Sequence, residues 1–235
     1  MKILLAPAEI KKAGGEGKFN IDFNNHIVAH YERFISNQSI EQLSSWFGLK
    51  NLQDCKKYSV SLKDKPTMKA INRYIGVAFE ALDYNNLSIE EQEYCDDNVI
   101  IFSNLFGAVK ASDKIPDYKF KQGVQLPEIN NEKYYKENLK TKLDDELGEE
   151  IVDLRAGYYD KFYKPSASVI TFKFLKNGKV VSHWAKHYRG LVVQQMAKNN
   201  ITSFAELMNM PIDGLQLQEI QEKKNIKTLI MTIQE

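Results

Sequence analysis

The stretch Asn98-Val99-Ile100-Ile101-Phe102 constrains this chain more than any other. An unbroken β-branched and aromatic run suits a strand buried on both faces, which calls for a sheet covered by helices above and below. Ser103 to Gly107 follow at or just beyond the carboxyl end of that strand. In open α/β sheets such ends border ligand crevices.

Shorter signals agree with a mixed α/β chain. Ile3 to Leu5 reads as a buried strand closed by Pro7, and Ile151 to Leu154 as another. Between His26 and Asp96 apolar residues recur at helical spacing, as in Ile27, Tyr31 and Phe34 or Leu43, Trp46 and Phe47. Asn130 to Glu150 carries both signs of charge and reads as a solvated helix. Asn177-Gly178 between Val169–Phe174 and Lys179–His183 predicts a hairpin with a type I′ turn. Ala185 to Asn199 reads as a helix, Asn199-Asn200 as a turn, Ser203 to Met208 as a shorter helix, and Lys227 to Ile233 as a closing strand.

With 235 residues, 43% apolar and 27% charged, the chain fits one globular domain over 1–235. The net charge of +1 supplies no long-range pull on nucleic acid, so any such binding needs a local patch. Cys55 and Cys95 have no CxxC spacing and suggest neither a disulfide framework nor a zinc ribbon. No signal-peptide core and no apolar run of about 20 residues is seen, so a cytoplasmic protein with no membrane partner is expected. A monomer without a cofactor is the expected state.

Two basic clusters could carry chemistry. In His183-Trp184-Ala185-Lys186-His187-Tyr188-Arg189-Gly190, Lys186 and Arg189 stand three apart on a helix face near its start, and Gly190 permits close backbone approach, as a phosphate site requires. Lys110, Lys114, Lys119 and Lys121 interleave with Ile115, Tyr118 and Phe120, a pattern suited to tracking a phosphodiester backbone and stacking bases. Tyr118 and Tyr188 are the candidate stacking rings. Asp113, among these lysines, is a candidate base for an alternative enzyme acting on a nucleotide or nucleic-acid base. The pairs His26/His30 and His183/His187 have i, i+4 spacing and supply a third reading, direct iron binding, although neither segment completes a ligand set.

Several of these segments resemble the YaaA family of bacterial peroxide-stress proteins. Lys2 to Ala8 is similar to its strand followed by Ser-Pro-Ala-Lys, and Arg73 to Phe79 to its Tyr/Phe-x-Gly-x-x-Tyr segment. Ser103 to Lys119 is similar to its Ser-Gly-Leu-Tyr-Gly-Val-Leu-x-Pro-x-Asp-x-Ile-x-x-Tyr-Arg run, and Lys186 to Gly190 to its Lys-x-x-Arg-Gly. The matches run in order from residue 2 to about residue 214. Two places depart: Lys119-Phe120-Lys121-Gln122 stands where the family has Arg-Leu-Glu-Met, and Ala156-Gly157-Tyr158-Tyr159 lacks the acidic member of Ala-Ser-x-Glu-Tyr.

The resemblance implies a single α/β domain with a mixed central sheet, a positively charged cleft and a helix-hairpin-helix-like element over Ala185 to Met210. It also implies binding to double-stranded DNA and protection from peroxide by lowering free intracellular iron. Lys119, Lys121, Lys186, Arg189, Gly190 and Tyr118 are the residues expected at the DNA.

Overall fold

A computed structural model describes residues 1–17 and 25–234. β1 (Lys2–Leu5) stops just before Ala6-Pro7, and β2 (Ile10–Lys11) follows. Next come α1 (His26–Asn37), α2 (Ile40–Phe47) and α3 (Leu52–Tyr58), whose first turns are capped by the Asn25, Ser39 and Asn51 side chains. The helical expectation for the rest of this region needs amending. Around the one-turn α4 (Ala70–Arg73) lie β3 (Thr67–Lys69) and β4 (Tyr74–Ile75), and only then α5 (Val77–Leu82) and α6 (Ile89–Asn98).

The apolar run forms β5 (Val99–Ser103), with every residue buried. β6 (Gly107–Lys110) folds back on it and leads to β7 (Lys114–Pro116). The charged segment is α7 (Asn131–Leu147), followed by β8 (Glu150–Leu154). β9 (Ser168–Lys176) and β10 (Lys179–Val180) form the hairpin, with Asn177 and Gly178 at φ 51° and 72°, as a type I′ turn requires.

Sequence alone carries the second hairpin strand to His183, but pairing ends at Val180. α8 (Ser182–Lys198) begins there, so His183 and Trp184 are helical. α9 (Phe204–Asn209) is capped by Ser203, and β11 (Leu215–Lys223) and β12 (Ile226–Ile233) close the chain.

Among the described residues, eight strands make one mixed sheet in the order β11-β12-β9-β8-β1-β5-β6, with β10 also on β9. The inner run β12, β9, β8, β1 and β5 is parallel, so these strands end at one rim of the sheet. α8 starts just past the carboxyl end of β9 and runs back towards the opposite rim, where Phe204 N–H donates to Glu150 Oε2 at the start of β8, 2.9 Å away. Ile3, Leu4, Val99, Ile101, Val152 and Ile170 lie in one continuous core. Each such side chain contributes about 2 kcal/mol by leaving water.

Two glycines tie the helical layer to this rim. A Cβ on Gly190 would lie 1.8 Å from the Ala78 carbonyl oxygen, so α8 and α5 cross backbone against backbone. Gly76 rests against Ala8, the loop residue after β1.

Candidate functional site at the strand ends

The loop after β1, the start of the β5–β6 turn and the segment after β7 meet at the carboxyl rim. Residues 117–125 have almost no regular structure, and their backbone groups are satisfied by side chains instead. Lys65 Nζ donates to the Asp117 carbonyl at 3.1 Å, Tyr31 Oη to Lys119 at 3.2 Å, and Asn104 Nδ2 to Lys121 at 2.8 Å and Val124 at 3.0 Å. Glu9 Oε1 accepts Gln122 N–H at 3.0 Å. The extended run therefore alternates. Tyr118 and Phe120 face inward at 2% and 4% exposure, while Lys119 and Lys121 are half-buried.

Tyr118 lies in a hydroxyl chain whose first step follows by elimination. Ser103 Oγ accepts the N–H groups of Leu105 and Phe106, each at 3.1 Å, which engages both of its lone pairs. Its proton therefore goes to Tyr118 Oη at 2.7 Å. Tyr118 and Tyr74 share one further hydrogen bond at 2.7 Å, in which either hydroxyl can donate, so the two phenols carry one more proton than this chain uses. Burial holds the Tyr118 phenol well above its ordinary range and pushes Tyr74 up to about 12, so both stay protonated at neutral pH.

Beside this chain sits Lys11, paired across β2 and β4 with Tyr74. Its Nζ lies 4.1 Å from the Tyr118 ring centroid and 5.5 Å from that of Tyr74, with the Ala8 and Glu9 carbonyls at 3.5 and 3.4 Å. Burial brings its pKa down to about 8; Glu9 and Asp117 oppose the shift, and Lys119 and Arg73 add to it.

Arg73 is fully buried and spent on backbone carbonyls. Nε and Nη2 both donate to Ile115 at 3.1 Å, Nη2 to Pro66 at 3.0 Å, and Nη1 to Lys12. The Asp117 carboxylate abuts Lys57 Nζ, yet among the described residues neither of its buried oxygens receives a well-formed hydrogen bond. Burial also brings Lys65 down to about 8, against the pull of Asp117.

At the end of β8, Asp153 holds Arg155 in a two-point pair, Oδ1 to Nε at 2.9 Å and Oδ2 to Nη2 at 2.7 Å. Arg189 of α8 lies within the field of Asp153. Burial lowers its pKa, and among the described residues it makes no hydrogen bond or ion pair. Lys186, one turn earlier, is exposed, as are His183 and Trp184, whereas the Tyr188 ring is buried against Phe174.

The expected residues thus divide. Lys119 lies close enough to Lys11 to depress its pKa, and Arg189 lies at the end of the neighbouring strand β8, so both belong to the same rim. Lys121 rests against Gly48 at the end of α2. Tyr118 and Tyr188 are buried, so neither ring presents a face for stacking. Lys186 and Arg189 lie beyond the first turn of α8, past the reach of its N-terminal amides.

The Asn199-Asn200 turn follows the end of α8, shortly before Phe204, whose N–H meets Glu150 at the opposite rim. Asp113 Oδ2 accepts Lys110 N–H at 2.8 Å and so braces the β6–β7 turn.

The histidine pairs also need correcting as iron ligands. His26 stacks on Tyr134, and His30, one turn further along α1, is half-buried in a groove with Arg33, Phe34 and Glu128. On α8, His183 is exposed and His187 packs edge-on to Tyr188. Among the described residues no three His, Cys, Asp or Glu side chains gather as a metal site, so neither His26/His30 nor His183/His187 gains a third ligand. No helix among these residues is long and apolar enough to cross a membrane.

Sequence reasoning misses Lys11, Arg73, Tyr74, Asp117 and Arg155 as site residues. A lysine just beyond a strand-ending proline is the available signal for Lys11, and strict alternation after Pro116 is the signal that Tyr118 points inward.

A family model described as peroxide stress protein YaaA matches residues 1–221. An uncharacterised protein of Campylobacter jejuni is 43% identical over 245 residues, covering 99% of each chain. A UPF0246 protein of Corynebacterium glutamicum is 29% identical over 98% of this chain and 100% of its own. Another from Aliivibrio fischeri is 30% identical over 70% of this chain and 69% of its own.

Proposed function

The chain belongs to the peroxide stress protein YaaA family, and from that premise we propose that it binds double-stranded DNA through the cations of the carboxyl rim and limits peroxide damage by lowering free intracellular iron. One observation carries the DNA reading: Lys119, Lys121, Lys186 and Arg189 make no ion pair among the described residues, although the chain as a whole is nearly neutral. Positive charge left unspent is what a phosphate backbone selects.

The hairpin at Asn199-Asn200 is given no part in this surface, because the segment that follows it meets the other rim at Glu150. Binding by phosphate neutralisation depends little on sequence and weakens with salt by a slope of about 0.9 per phosphate contacted. Mobility shifts of a mixed-sequence duplex across a salt series test it. Binding indifferent to salt, or absent at the lowest salt, would count against the rim. The iron arm is tested by measuring the chelatable iron pool of peroxide-treated cells with and without the protein, where an unchanged pool would remove it.

A further inference from the structure

We propose that Lys11 is an amine nucleophile that captures small aldehydes or ketones as an imine, with the Tyr74 hydroxyl as the proton donor to the carbonyl oxygen. The DNA reading neither requires nor supplies this site. It rests on the hydroxyl chain and on the amine set beside it.

Ser103 donates to Tyr118, and Tyr118 and Tyr74 share a single hydrogen bond in which either can donate, so this pair holds one phenol O–H more than the chain uses, and Tyr74 is the residue paired across from Lys11. A spare donor of this kind stabilises the oxyanion that develops when an amine adds to a carbonyl. Nζ rests over the Tyr118 ring with two long contacts to backbone carbonyls and, among the described residues, no ion pair that would hold it as an ammonium. Placement beyond the ends of parallel strands is where α/β sheets accept small ligands.

Burial supports the chemistry. An amine titrating near 8 is neutral in about a quarter of molecules at pH 7.5, against about one in a thousand for an ordinary lysine. The Nζ lone pair forms a bond to the carbonyl carbon, and the displaced π pair collects on oxygen. Oxygen takes the Tyr74 proton, and Tyr74 is restored by a proton from nitrogen, giving a neutral carbinolamine. Departure of that oxygen as water, carrying the second nitrogen proton, leaves the C=N bond.

The test is reductive trapping of the whole protein with glycolaldehyde and sodium cyanoborohydride, with the adduct on each lysine read by peptide mass. Lys11 is expected to be labelled at least about tenfold faster than exposed Lys186, with a rate that rises through about pH 8. Tyr74→Phe should slow labelling of Lys11 several-fold and leave Lys186 unchanged. Labelling of Lys11 no faster than that of Lys186, or equal labelling in the Tyr74→Phe protein with its fold intact by circular dichroism, overturns the proposal.

Discussion

The cations inside this protein and those on its rim share the same chemistry and have opposite roles. Arg73 and Arg155 are drawn into the core, and among the described residues their side-chain hydrogen bonds end on backbone carbonyls or on Asp153. Lys119, Lys121 and Lys186 stay at the surface with no acidic partner among the described residues. A net charge of +1 conceals this division. Buried positive charge organises loops that lack regular structure; the other cations carry no such backbone load.

The sharpest way to break the contrast is to remove a buried cation. Arg73→Met strands the carbonyls of Ile115, Pro66 and Lys12, and should cost about 4 kcal/mol in urea unfolding. A loss below about 1 kcal/mol would mean that the guanidinium does not hold the β3–β4 segment in place. Gly190→Ala drives a Cβ into the Ala78 carbonyl and should cost about 3 kcal/mol through displacement of α8.

Next in size is a pH effect from Lys11 and Lys65. Both are held at about 8 when folded and rise to the ordinary 10.5 when unfolded, so the unfolded chain binds more protons between these values. Stability should climb from pH 8 towards pH 10, by about 2 kcal/mol for each lysine. Above that, the buried tyrosines reverse the trend, because unfolding lets them ionise. A Lys11→Met protein whose stability rises as steeply over the same window would refute the assignment.

The smallest expected effect on stability comes from the rim. Lys121→Ala or Lys186→Ala should move unfolding by less than about 0.5 kcal/mol, while each lowers the salt slope of duplex binding by about 1. A stability loss comparable to that of Arg73→Met would place these lysines with the structural cations instead.

The elements read from sequence are those whose burial is local in origin. β1, β5, β8 and β12 announce themselves by apolar composition, α7 by its charges and the β9–β10 hairpin by Asn177-Gly178. β11 escapes such a reading because Leu215 to Lys223 is largely Gln, Glu and Lys, and is a strand only through its ladder with β12, with an irregularity between Leu217 and Glu219. The amine site is not legible in the sequence, since Lys11 meets Tyr74 of β4 and Tyr118 from the segment after β7, and no sequence window spans those distances. Helical spacing brings His26 to His30 and His183 to His187, but a metal site also needs ligands from other elements, which spacing along one helix cannot reveal.

The crossing at Gly190 also sets how this molecule can move. Where two backbones touch with no side chain between them, no rotamer can yield, so α8 shifts only if α5 shifts with it. Gly76, just before α5, rests in turn on Ala8, in the loop that leads through Glu9 to Lys11 of β2, so a shift of α8 and α5 also presses on that loop.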